Sequence, residues 1–112
     1  MQGTQAPEAD PAAGVVPAPR PSTPWRVVAV EALADRRLKV TFADGTVGEV
    51  HLDTFLESPR VRGTIFEALR DAEVLARVRV ELGAVTWPNG ADLAPDAMYD
   101  EIRANGRWVV GA

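Results

Sequence analysis

The sequence contains no cysteine. That excludes disulfide stapling and thiolate metal sites, and it makes a reducing, cytoplasmic compartment the expected one. No apolar run approaches the eighteen or so residues a membrane-crossing helix needs, so no membrane span is expected. The N-terminus has neither a basic stretch nor an apolar one behind it, so no secretory signal is expected either. Positive charge is in deficit: 12 Lys and Arg stand against 16 Asp and Glu, for a net charge of -4 and a pI near 4.9. Over the whole molecule this leaves no electrostatic footprint for nucleic acid. An acidic surface does steer encounters with basic partners, although it identifies none.

The 112 residues fit one domain. A chain of this length buries about 60–70% of its unfolded surface, which allows one compact core. Residues 1–24 hold six of the nine prolines, seven Ala or Gly, and no aromatic residue. Such a segment cannot bury enough apolar surface to offset its ordering entropy, so a disordered, partly polyproline-like tail is expected. Residues 25–112 are expected to form a single α+β domain.

Trp25 opens that domain, and the valine-rich run to Leu33 reads as a first strand. From Arg36 to Phe42 the chain alternates strictly, with Leu38, Val40 and Phe42 on one face and Arg37, Lys39 and Thr41 on the other. Asp44-Gly45 is the strongest hairpin signal. A two-residue turn there would set Val40 against Glu49 and Leu38 against His51, bringing charge onto the apolar face. A three-residue loop with Gly45 in the left-handed region instead sets Phe42 against Thr46, Val40 against Gly48, Leu38 against Val50 and Arg36 against Leu52. Side-chain parity favours the second register.

After Asp53, Thr54 and Glu57 outline a short helical turn that Ser58-Pro59 stops. Thr64 to Glu67 is a capping-box pattern, which predicts a helix to about Asp71. Arg77–Leu82 alternates again, predicting Val78, Val80 and Leu82 inward, and Val85-Thr86-Trp87 predicts a fifth short strand. Pro88-Asn89-Gly90 is turn chemistry. Asp92 can bond backbone amides as an Asx turn or an N-cap, and Pro95 and Asp96 suit a helix start. Met98 and Ile102 then form one buried stripe until Asn105-Gly106 ends the helix. Trp108-Val109-Val110 would dock as a short strand or arm. The expected architecture is an antiparallel sheet of about five strands with two short helices on one face.

From Trp25 to about Arg103 the chain resembles the family of domain of unknown function 2442. The resemblance lies in Phe42-Ala43-Asp44-Gly45, Leu52-Asp53, the run Ile65–Asp71, and above all Val85–Tyr99, Val-Thr-Trp-Pro-Asn-Gly-Ala-Asp-Leu-Ala-Pro-Asp-Ala-Met-Tyr. It implies a small bacterial protein, often the antitoxin-type partner of a small protein encoded beside it. It supplies no catalytic residue. Some members carry an added helix-turn-helix; with Ala112 as the last residue there is no room for one here, so DNA binding is not expected.

His51, the sole histidine, is placed by parity on the face away from the core, with Glu49 and Asp53 beside it. A solvated strand of alternating polar residues has the same pattern, and catalysis would need a positioned nucleophile or second acid. Glu49, His51 and Asp53 spread over about 13 Å along a strand and have no second cluster, so no metal or cofactor is expected. The candidate contact residues are Arg37, Lys39, His51, Arg77 and Arg79, a basic strip on the polar sheet face, together with Trp87 and Asp92. Together with the resemblance, which implies a small protein partner, these outline a non-catalytic protein-binding module, with a homodimer as a further option. The alternative is a ligand-binding protein or enzyme with a pocket near Trp87, Asp92 and Tyr99.

Overall fold

The computed structural model describes residues 23–111; the expected tail, apart from its last two residues, lies outside them. Strand β1 (Val27–Leu33) pairs with β2 (Arg37–Phe42), which the Asp44-Gly45 hairpin joins to β3 (Val47–His51). Its register is the one that parity selects. Leu38 faces Val50 and Val40 faces Gly48, while Phe42 N–H donates to Thr46 O at 2.8 Å and Leu52 N–H to Arg36 O at 2.9 Å. Gly45 takes φ 91° at the loop, and Thr46 N–H donates to Asp44 Oδ1 at 2.9 Å. The apolar residues of this ribbon, Leu38, Val40, Phe42 and Val50, are all essentially inaccessible to solvent.

The protein is α+β, as the pattern predicts, but its strands divide into two sheets. The larger has the order β1-β2-β3-β6, with β6 (Arg107–Val109) parallel to β3. The smaller pairs β4 (Arg79–Glu81) with β5 (Ala84–Thr86). The expected single antiparallel sheet is corrected in this respect. Helix α3 (Pro95–Asn105) crosses the sheet before returning the chain to β6, and such a crossover delivers a parallel strand.

Between the sheets, α1 (Asp53–Glu57), a 3-10 turn (Pro59–Val61), a longer 3-10 segment (Ile65–Arg70) and α2 (Ala72–Leu75) cover the core side. The capping box is displaced by one position. Thr64 Oγ1 accepts from Phe66 N–H, where a capping box uses Glu67 N–H, and Glu67 reaches Gly63 N–H, not that of Thr64. A six-residue segment closed so tightly by its caps stays 3-10. Gly106, at φ 81°, ends α3 by donating to Ile102 O at 2.7 Å.

One core joins all of these elements. Leu52, Leu56, Val61, Leu69, Leu75, Val85, Trp87, Ala91, Leu93, Met98, Ile102 and Val110 pack with the inner residues of the larger sheet. Gly48 lets α3 approach: a Cβ at that position would collide with the Ile102 side chain and lie 3.1 Å from Gly106 O. Leu82, expected inward, is 90% exposed. It forms the β4–β5 turn with Gly83, both at positive φ (52° and 80°), so β4 ends one residue early. Among the described residues, no helix is long and apolar enough to cross a membrane.

Candidate docking face

The inner face of the larger sheet is filled; among the described residues its outer face is not. Register places Ala29, Glu31 and Leu33 of β1, Arg37, Lys39 and Thr41 of β2, Val47, Glu49 and His51 of β3, and Arg107 and Val109 of β6 on that outer side. Three of the predicted contact residues, Arg37, Lys39 and His51, are therefore brought together. Glu49 organises them. Its Oε1 lies 3.1 Å from Arg37 Nη1 and 3.0 Å from His51 Nε2. The hydrogen bond from His51, reinforced by Arg37, holds the Glu49 carboxyl below the usual glutamate range.

An open cleft of about 520 Å³ runs from this cluster to the end of α3, lined by Lys39, Val47, Gly48, Glu49, His51, Asn105, Gly106 and Arg107. Lys39 faces Glu49 from one neighbouring strand and Arg107 from the other. Neither cation forms an ion pair among the described residues, whereas Arg37 does. Arg107 escapes the sequence reading because the pattern of Trp108-Val109-Val110, a short strand or arm, names no neighbour; only the register beside β3 brings Arg107 to the face.

The other predicted positions fall elsewhere. Arg79 lies on β4, in the smaller sheet, where it pairs with Glu81 at 3.6 Å. Arg77 precedes β4 in a turn, its N–H donating to Val74 O. Neither shares a pleat with Lys39, because β4 pairs only with β5 and not with the larger sheet. Trp87 is 1% exposed, and its indole N–H donates to Leu75 O at 2.9 Å. It is a core residue and offers a partner no surface.

Asp92 is exposed and bridges to Thr86 through its backbone, but it caps nothing. The N-cap of α3 is Ala94, without a side-chain bond. Asn89 does the work expected of Asp92, accepting from Ala91 N–H at 3.0 Å and donating to Ile65 O at 2.8 Å. Asn89 was legible as turn chemistry, although its bond to Ile65, far along the chain, was not.

Tyr99 also departs from the alternative pocket. Its hydroxyl donates to Asp44 Oδ2 at 2.6 Å, tying α3 to the first hairpin loop, and its ring meets Phe42 edge-on at 5.2 Å. That bond holds the Asp44 carboxyl below its ordinary range and pushes the Tyr99 phenol above 10. Trp87, Asp92 and Tyr99 thus turn to different neighbours and form no convergent polar set.

Asp53 likewise leaves the His51 strip, bonding Arg36 Nη1 at 3.4 Å. No group of three or more His, Cys, Asp or Glu residues close enough to hold a metal occurs among the described residues.

The fold is that of a small α+β domain. The family model described as "Protein of unknown function (DUF2442)" matches residues 27–104, and the chain belongs to that family. A solved structure, "Putative DNA Binding Protein NE0471" from Nitrosomonas europaea ATCC 19718, is similar at 35% identity over 56% of this chain, with a TM-score of 0.44. The matched region spans 39% of that protein's length. No curated protein matches the chain.

Proposed function

We propose that the chain is a non-catalytic protein-binding module that docks a small protein partner on the outer face of its larger sheet, in the manner of an antitoxin covering a toxin encoded beside it. The observation that carries this reading is one-sided coverage. Among the described residues every helix joins the core on the inner face, while Arg37, Lys39, His51 and Arg107 stand on an open outer one. Lys39 there stands between Glu31 and Glu49, and Arg107 lies across Glu49, so the face carries alternating charge that orients a complementary partner. Activity would be neutralised by occlusion, needing contact area and no bond chemistry. The imidazole is committed to a carboxylate on an open strand, with no nucleophile beside it.

Co-expression with the product of the adjacent gene, followed by size-exclusion chromatography, tests the reading. The account expects one co-eluting complex that the double variant Lys39→Glu/Arg107→Glu dissociates. Independent elution of two folded proteins overturns it.

A further inference from the structure

The outer face carries one row of charge across its four strands. Register sets Glu31 of β1 against Lys39 of β2, Lys39 against Glu49 of β3, and Glu49 against Arg107 of β6. The row therefore alternates negative, positive, negative, positive. With neighbouring strands about 4.8 Å apart, it is about 14 Å long. Taken from the other end it runs positive, negative, positive, negative. Such a row is complementary to its own reversal.

Two copies of the chain achieve that reversal when their outer faces meet about a two-fold axis parallel to the strands. Glu31 of each copy then meets Arg107 of the other, and Lys39 of each meets Glu49 of the other. These four contacts are reciprocal, as a two-fold interface requires. The bonds of Glu49 to Arg37 and His51 both use Oε1, so Oε2 is the atom offered to the incoming Lys39. Stacked sheets cross at about 30°, which moves the two outer pairs about 4 Å out of line, within reach of Glu and Arg side chains. An axis across the strands would instead lay Glu31 on Glu31 and Lys39 on Lys39, and like charges so placed disfavour it.

The flanking rows fit the same axis. On one side Leu33, Arg37, His51 and Val109 lie in register. Reversal sets Leu33 against Val109, both half-buried in the single chain, and Arg37 against an imidazole that Glu49 already holds. On the other side Thr41 meets Val47, which is 51% exposed. Exposed ion pairs add little strength individually. The charged row thus sets the orientation, the aliphatic contacts add attraction, and the pairing is weak and reversible.

We infer that the free chain self-associates through this face, two copies packing sheet against sheet with Glu31 of each against Arg107 of the other and Lys39 against Glu49. This goes beyond the docking reading and does not rest on it. A partner that takes the same face displaces the second copy.

Sedimentation velocity of the full chain, with no other protein present, tests the inference over about 1–500 µM. The unaltered chain is expected to shift from monomer to dimer across that range. Glu31→Lys and Arg107→Glu, both at exposed positions, should each weaken self-association at least about tenfold, with an unchanged circular dichroism spectrum. An equimolar mixture of the two variants should recover it to within about threefold. In the mixed pair the two altered residues face each other with opposite charge, and the remaining Glu31 faces the remaining Arg107. A monomer throughout the range, a dimer indifferent to either variant, or a mixture that associates no better than its components overturns the inference. Each of these results leaves the docking reading standing, because co-elution with the adjacent gene product is a separate measurement.

Discussion

Gly48 and Trp87 show how single residues set the position of the face. Gly48 lies beneath α3, and Gly48→Ala must displace Ile102 or the helix end. A destabilisation of about 1–3 kcal/mol, the usual range for overpacking, is expected in chemical denaturation, with the outer-face residues unchanged. Trp87→Phe removes the donor to Leu75 O and leaves a gap in the core. It should cost about 2 kcal/mol or more in the same measurement, since the core loses packed volume and the Leu75 carbonyl keeps only the longer bond from Val78 N–H, at 3.3 Å. The sequence marks both positions and discloses only part of their roles. Glycine opposite Val40 follows from the register, but the helix that needs it is about fifty residues further on. Trp87 was readable either as core or as interface anchor, because a large aromatic residue serves both. Only its burial decides for the core.

Among the elements, the hairpin was the most legible. Parity leaves one acceptable pairing, since its neighbour places Glu49 and His51 in the core. Parallel pairing and the split into two sheets were not legible, because they depend on where α3 returns the chain and on how a two-residue turn places Leu82. The tie between α3 and the hairpin loop makes a pH prediction. The Asp44 carboxyl is lowered by its bond from Tyr99, so its stabilising contribution is full above the unfolded value near 3.8 and is lost as pH falls through the folded value. The Tyr99 phenol is raised above 10, so its contribution holds below the unfolded value and is lost as pH rises through the folded one. Tyr99→Phe should move the Asp44 carboxyl upward, toward 3.8, in an NMR titration, and it should remove the alkaline loss from a pH series of thermal melts. An Asp44 titration identical in both proteins would contradict the tie.

At the scale of the molecule, the fold sorts the basic residues that sequence periodicity groups together. Alternation gives every outward cation on a strand the same standing, so Arg77 and Arg79 cannot be told from Arg37 and Lys39 until the sheets separate. Topology removes the first two from the face and adds Arg107. What remains is a face of mixed charge, with Lys39 between Glu31 and Glu49 and with Arg107 across Glu49. Because exposed charges are screened by salt, association through this face should weaken as ionic strength rises from about 0.05 to 0.5 M, mainly through a slower on-rate in stopped-flow measurements. A salt-independent on-rate would place the contact elsewhere, for example at exposed apolar residues such as Trp25, Val28 or Leu82.

Hydrogen–deuterium exchange on the complex with the adjacent gene product, compared with the free chain, tests the central claim most directly. The account predicts slowed exchange along β3 and β6, centred on Val47–His51 and Arg107–Val109. Protection confined to β1, the Leu82 turn or the smaller sheet, with β3 and β6 unchanged, would contradict it.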